Sequence, residues 1–176
     1  MVKQVLVAMG FVLSWPTLAA AQNPVTADSP FQMRALVSLK GKDAVVVSNS
    51  GANGSDLCAN AYAFDAEDGQ LLDCCSCLVP PNVLRSIPIA ADLLENDKPR
   101  PKSVVLKLLA SVPVAGECSA SVPGAIIIGL TAWKGETPLT PATLSASELS
   151  AMTVQCGFAH PVARTCDACP PPPPPM

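Results

Sequence analysis

Met33, Ala35, Val37 and Leu39 alternate with Arg34, Leu36, Ser38 and Lys40, which approximates the period of two of a half-buried strand. Gly41-Lys42-Asp43 then predicts a turn, and the β-branched run from Ala44 to Ser48 predicts a second strand, so these two are expected to form a hairpin. Leu57 to Phe64 and Gln70 to Val79 predict another hairpin around Asp65-Ala66-Glu67-Asp68-Gly69, with Gly69 where φ must be positive. Pairing Phe64 with Gln70 sets Cys58 opposite Ser76, within one residue of either Cys75 or Cys77. Pro80-Pro81 ends the second strand because neither proline can donate to a ladder.

Leu84 to Ala90, interrupted by Pro88, reads as an edge strand, and Ser103 to Ala110 and Ala125 to Trp133 are aliphatic runs of strand length. The seven candidates predict a mainly β fold, an antiparallel β-sandwich of immunoglobulin-like type. A parallel α/β fold would need helical segments between the strands, and the pattern offers none. One C-terminal helix is signalled by Ser145-Ala146-Ser147-Glu148, which fits a capping box. Leu149, Met152 and Cys156 share one face of it, and Gly157 is expected to end it.

The ends of the chain differ from its middle. A basic start, an apolar run from Val5 to Leu13 and Ala19-Ala20-Ala21 predict a secretory signal peptide over 1–21. A flexible leader is expected over 22–30, a disulfide-stabilised β domain over 31–169, and an extended polyproline tail over 170–176. After cleavage no membrane span is expected. The longest later stretch without charge, Cys118 to Trp133, has 16 residues and is broken by Pro123, Gly124 and Gly129. With 11 Lys and Arg against 14 Asp and Glu, and no basic run, a nucleic-acid partner is not expected.

Eight cysteines carry the strongest chemical signal: Cys58, Cys74, Cys75, Cys77, Cys118, Cys156, Cys166 and Cys169. An even number in an exported chain predicts up to four disulfides. From the hairpin register, Cys58 is expected to bond Cys75 or Cys77, and the rest of that cluster to tie to Cys156, Cys166 and Cys169. The competing pairing joins Cys58 to Cys118. Cys74 and Cys75 should face opposite sides of their strand, so the cluster can bridge in two directions. The alternative use of the same sulfurs is a zinc or copper site built from Cys74, Cys77, Cys166 and Cys169, which form two C-x-x-C pairs.

Other chemistry finds less support. Neither C-x-x-C pair opens a helix, as a redox-active pair would, and Cys169 is followed by Pro170 where covalent haem attachment needs histidine. His160, the single histidine, precedes Pro161 and is expected to be solvated; no G-x-S-x-G elbow is present. Asp65, Glu67 and Asp68 lack calcium-loop spacing and read as a charged hairpin tip. Asn53-Gly54-Ser55 is a glycosylation sequon, of use only in a eukaryote. No cofactor is expected.

Leu57-Cys58-Ala59-Asn60 with Tyr62 and Phe64-Asp65, followed by Cys74-Cys75-Ser76-Cys77 and Pro80-Pro81-Asn82, resembles a group of uncharacterised cysteine-rich exported proteins of acidobacterial type. Leu78 and Pro81 depart from that group's pattern, which has proline and threonine there. The resemblance implies export from a bacterium and brings no site residues with it. Together these readings predict a secreted structural or binding module of the cell exterior without catalysis, whose partner is another copy of itself or another cell-surface protein.

Overall fold

The computed structural model of the chain describes residues 29–36, 43–94, 101–167 and 169. The expected signal peptide and polyproline tail lie outside the described residues. The strands are β1 (Ser29–Leu36), β2 (Ala44–Asn49), β3 (Leu57–Asp65), β4 (Leu71–Val79) and β5 (Leu84–Pro88). After the one-turn α1 (Ile89–Asp92) come β6 (Val104–Ser111), β7 (Leu130–Lys134), β8 (Thr137–Pro138) and β9 (Thr140–Leu144). The long helix α2 (Ala146–Ala159) follows.

The strands form two antiparallel sheets, ordered β4-β3-β6-β1-β9 and β5-β2-β7-β8. The expected mainly β, disulfide-stabilised fold with one long C-terminal helix is therefore found. Its strand order is not that of an immunoglobulin domain, in which the first two strands are neighbours. Here β1 and β2 lie in different sheets, so the hairpin expected between them does not form. Each has better partners: β1 sits between β6 and β9, and β2 between β5 and β7. Ser29 and Pro30, placed by the sequence in the leader, already pair with Leu144 and Thr143.

The alternation of β3 explains the layering. Ala59, Ala61 and Ala63 face the second sheet and join Val45, Val47, Ile87 and Leu106 in the main core. Tyr62 and Phe64 face the other way and pack with Leu144, Met152 and Cys156 beneath α2. Small residues on one face let the sheets approach, and large ones on the other fill the space under the helix. With both faces covered, eight of the nine residues of β3 are buried.

The sequence anticipated other local features. Gly69 has φ +73° at the β3–β4 turn, while Asp65 and Asp68 each accept a backbone N–H there. β5 is an edge strand, and Arg85 stands opposite the core residue Val47. An inward charge of this kind discourages edge-to-edge pairing with another chain. The Ser145 capping box is present, but α2 runs through Gly157 to Ala159, with His160 as its C-cap. Gly157 stays helical and does not stop the helix, and a Cβ there would meet Ser121 only at an ordinary contact distance of 3.7 Å. The run from Ala125 to Trp133 is not one strand: Ile126 makes an isolated bridge to Ser111, and β7 begins only at Leu130.

Candidate functional site

All eight cysteines are joined: Cys58–Cys118, Cys74–Cys156, Cys75–Cys166 and Cys77–Cys169. The expectation that Cys58 bonds its neighbouring strand is overturned. Phe64 stands opposite Leu71 and not Gln70, and an irregularity between Ala63 and Phe64 shifts the β3–β4 register by one more, so Cys58 stands opposite Leu78. Ala59 and Ala61 face Cys77 and Cys75 instead. Those two sulfurs consequently lie on the opposite side of the sheet from Cys58. The expected ties from the cluster to Cys156, Cys166 and Cys169 are all made.

The same parity bears on the metal alternative. Residues three apart in a strand project to opposite faces. Cys77 lies in the core between the sheets with Cys166 and Cys169, whereas Cys74 lies under α2. The structure does not gather Cys74, Cys77, Cys166 and Cys169 about one point. Asp73, Cys74 and His160 do bring an oxygen, a sulfur and a nitrogen within 4.8 Å of one another. That sulfur is already bonded to Cys156, and metal binding requires a thiolate.

Asp73 is instead a fastening point. Its buried carboxylate meets His160 Nε2 through one oxygen and Arg164 through the other. The N–H of Cys74 also donates to Oδ1, at 2.6 Å. His160 is therefore engaged, not merely solvated as its loop position implied. Any imidazole at the end of α2 meets the start of the cysteine cluster once Cys156 bonds Cys74, a proximity the sequence could not display.

Beyond Arg164 the chain runs along the outer edge of β4. The N–H of Ser76 donates to the Arg164 carbonyl, and its own carbonyl accepts from the N–H of Cys166, both at 2.9 Å. The Ser76 hydroxyl donates to Asn60 Oδ1 at 2.5 Å, and Asn60 Nδ2 donates to Ser111 Oγ at 2.9 Å. This buried polar ladder crosses three strands and satisfies groups that would otherwise be costly to bury.

Next to this edge lies a cleft of about 560 Å³. Ser76 and Leu78 line it on the β4 side, Glu117 and Cys118 on one flank, and Thr165 and Asp167 on the other. Peptide groups alternate direction along an antiparallel strand. Because Ser76 turns its peptide groups outward to the tail, Leu78, two residues on, turns its own into the cleft. Cys118 anchors one flank to β3, and Cys166 and Cys169 anchor the other to β4. Among the described residues, the lining carries two carboxylates, Glu117 and Asp167, and no Lys or Arg. The sequence does not show this cleft because Glu117 and Asp167 are far apart in the chain and meet only through the bridges and the backbone pairing of the tail along β4.

Compared with known proteins, the chain matches no family model, no curated protein and no solved structure. Among the described residues, no helix is long and apolar enough to cross a membrane. Four disulfides point to an oxidising compartment.

Proposed function

We propose that this chain is an exported, non-catalytic structural or binding module of the bacterial cell exterior, and that the acidic cleft beside β4 is its contact surface. The observation that carries the reading is the use of the disulfides. Three of the four brace the cleft's flanks, through Cys118, Cys166 and Cys169. A rigid concave wall presenting backbone hydrogen-bonding groups and two carboxylates suits recognition, since preorganisation lowers the entropic cost of binding. Ser76 is a poor nucleophile, because its hydroxyl donates to an amide oxygen and not to a base. Export rests on the signal-like start of the sequence and on the disulfides, and bacterial origin on the resemblance described above.

The test has two arms. Full-length protein expressed in a bacterium should be recovered outside the cytoplasm with residues 1–21 removed and eight hydrogens fewer than the reduced mass. Eight alkylatable thiols in that fraction would defeat the export reading. Wild-type protein should then stay with washed cells, while a Glu117→Lys, Asp167→Lys variant of unchanged melting temperature should pass into the medium. Equal retention would remove the cleft from the proposal. Sizing chromatography separates the two partner types, since self-association elutes early from purified protein and attachment to another surface protein does not.

A further inference from the structure

The four disulfides differ in what surrounds them. Seven of the eight cysteines are sealed, with exposures from 0% to 4%. Cys118 alone is half-buried, and it lines the acidic cleft. Cys166 and Cys169 border the same cleft, yet they are 0% and 4% exposed and belong to the core with Cys75 and Cys77. Thiol–disulfide exchange needs a thiolate to reach a sulfur from outside, so access separates labile bridges from inert ones. By that measure Cys58–Cys118 stands apart.

The support around each bridge differs in the same direction. Beside the cysteines of β4, Asp73 grips His160 and Arg164, and Ser76 pairs with the Arg164 carbonyl and the Cys166 N–H. The loop that carries Cys118 has little of this. Val114 and Glu117 exchange backbone hydrogen bonds with each other, and Ser119 Oγ bonds Ser121 Oγ and the N–H of Val122. One hydrogen bond ties the stretch 113–124 to a strand, from the Tyr62 hydroxyl to the Ala120 carbonyl at 2.6 Å. Ala120 is buried beneath α2, whereas Val114, Gly116 and Glu117 are exposed. The bond to Cys58 is therefore what fastens 114–119 to β3.

We infer that Cys58–Cys118 is a latch on one flank of the acidic cleft, opened by a dithiol while the other three bridges stay closed. A thiolate of the dithiol attacks Cys118 Sγ, the bond to Cys58 breaks, and Cys58 leaves as a thiolate that takes a proton from water. The second thiol of the dithiol then displaces Cys118 from the mixed disulfide. Two electrons and two hydrogens pass to the bridge, and the dithiol ends as a disulfide. Residues 114–119 are then released from β3 while Ala120 stays beneath α2, which removes the Glu117 flank of the cleft. The latch follows from the setting of this bond and does not depend on what the cleft binds.

The probe is dithiothreitol, added to the oxidised full-length protein without denaturant, with acid quenching, alkylation and peptide mapping at successive times. A species with two alkylated cysteines, Cys58 and Cys118, should form roughly tenfold faster or more than label appears on any other pair. In that species amide hydrogen exchange should rise over 114–119, while β3 and β4 remain protected. The Cys58→Ser, Cys118→Ser variant should show the same exchange pattern; the partly reduced wild-type protein supplies the measurement if that variant does not fold. First label on another pair, all eight cysteines labelled together, no label short of unfolding, or unchanged exchange over 114–119 would each overturn the proposal.

Discussion

Oδ1 of Asp73 meets Nε2 of His160, which joins the first buried residue of the cysteine-bearing part of β4 to the C-cap of α2. The other carboxylate oxygen holds Arg164, so one side chain fixes both the end of the helix and the path of the chain beyond it. Removing one member of a buried pair strands the others without a partner. Asp73→Ala should lower stability by about 3 kcal/mol in urea unfolding of the oxidised protein. A loss below about 0.5 kcal/mol, the range of ordinary surface substitutions, would show that the disulfides alone hold this corner.

Peptide mapping without reduction should recover fragments joining Cys58 to Cys118, Cys74 to Cys156, Cys75 to Cys166 and Cys77 to Cys169. Replacing both Cys58 and Cys118 by serine opens a loop with a sequence separation of 60. The expected loss is on the order of 4 kcal/mol, with the other three bridges intact. A fragment joining Cys58 to Cys75 or Cys77 would contradict the observed register.

Tyr62, the single tyrosine, is buried and donates its hydroxyl to the Ala120 carbonyl at 2.6 Å. Burial pushes its ionisation well above the ordinary phenol range. The folded form therefore resists deprotonation more than the unfolded form. The associated stability is fully present below pH about 10 and is lost as pH rises further. Ultraviolet titration should show tyrosinate appearing only with unfolding, and a separate transition near pH 10 in folded protein would refute the burial. Tyr62→Phe should lower stability by about 1 kcal/mol and abolish that alkaline component.

At the start of α2, the Ser145 hydroxyl accepts the N–H of Glu148, and Glu148 Oε2 accepts the N–H of Ser145, each at 3.2 Å. The backbone amide of Ser145, and then its hydroxyl, hold the Glu148 carboxyl below its ordinary value. Its contribution is present above the unfolded carboxylate value and declines as pH falls through the depressed one. Ser145→Ala should cost about 1 kcal/mol at neutral pH. The difference from wild type should narrow in acid; a gap independent of pH would show that Glu148 takes no part.

How much of this was legible beforehand depends on which residues spoke locally. The β3–β4 hairpin, the β5 edge and the capped helix declared themselves through Gly69, Pro88 and Ser145, whose chemistry acts on their own neighbours. β8 and β9 did not. They are short, carry Pro138 and Pro141, and contribute few buried side chains, so no apolar alternation marks them. The position of Cys58 is not legible because the turn sets Phe64 opposite Leu71 and an irregularity at Ala63 then moves every residue beyond it by one more. The acidic cleft could not be read at all, since its flanks meet only through disulfides and hydrogen bonds between residues distant in the chain.

In the sequence, Gly124 does no more than break an apolar run. A Cβ there would lie 2.3 Å from the Val112 carbonyl oxygen, a backbone atom with little freedom to move. Gly124→Ala should therefore cost about 1–3 kcal/mol by overpacking. Gly54→Ala serves as the comparison, because a Cβ there meets nothing and only its positive φ resists the change. Equal destabilisation of the two variants by thermal unfolding would show that the close approach to Val112 has no weight.

The three bridges of β4 span 82, 91 and 92 residues and finish at Cys169. In a chain delivered amino-terminus first through a narrow passage, Cys74, Cys75 and Cys77 would arrive as thiols long before their proper mates. Until then the nearest arrivals are Cys58 and Cys118, which belong to each other. Maturation of a chain delivered in that way would be a matter of timing, with β4 waiting, unlocked, for the last residues to emerge. A chain truncated shortly before Cys166 would leave Cys75 and Cys77 stranded in the middle of the fold, open to scrambling or to capture by a thiol–disulfide exchange partner.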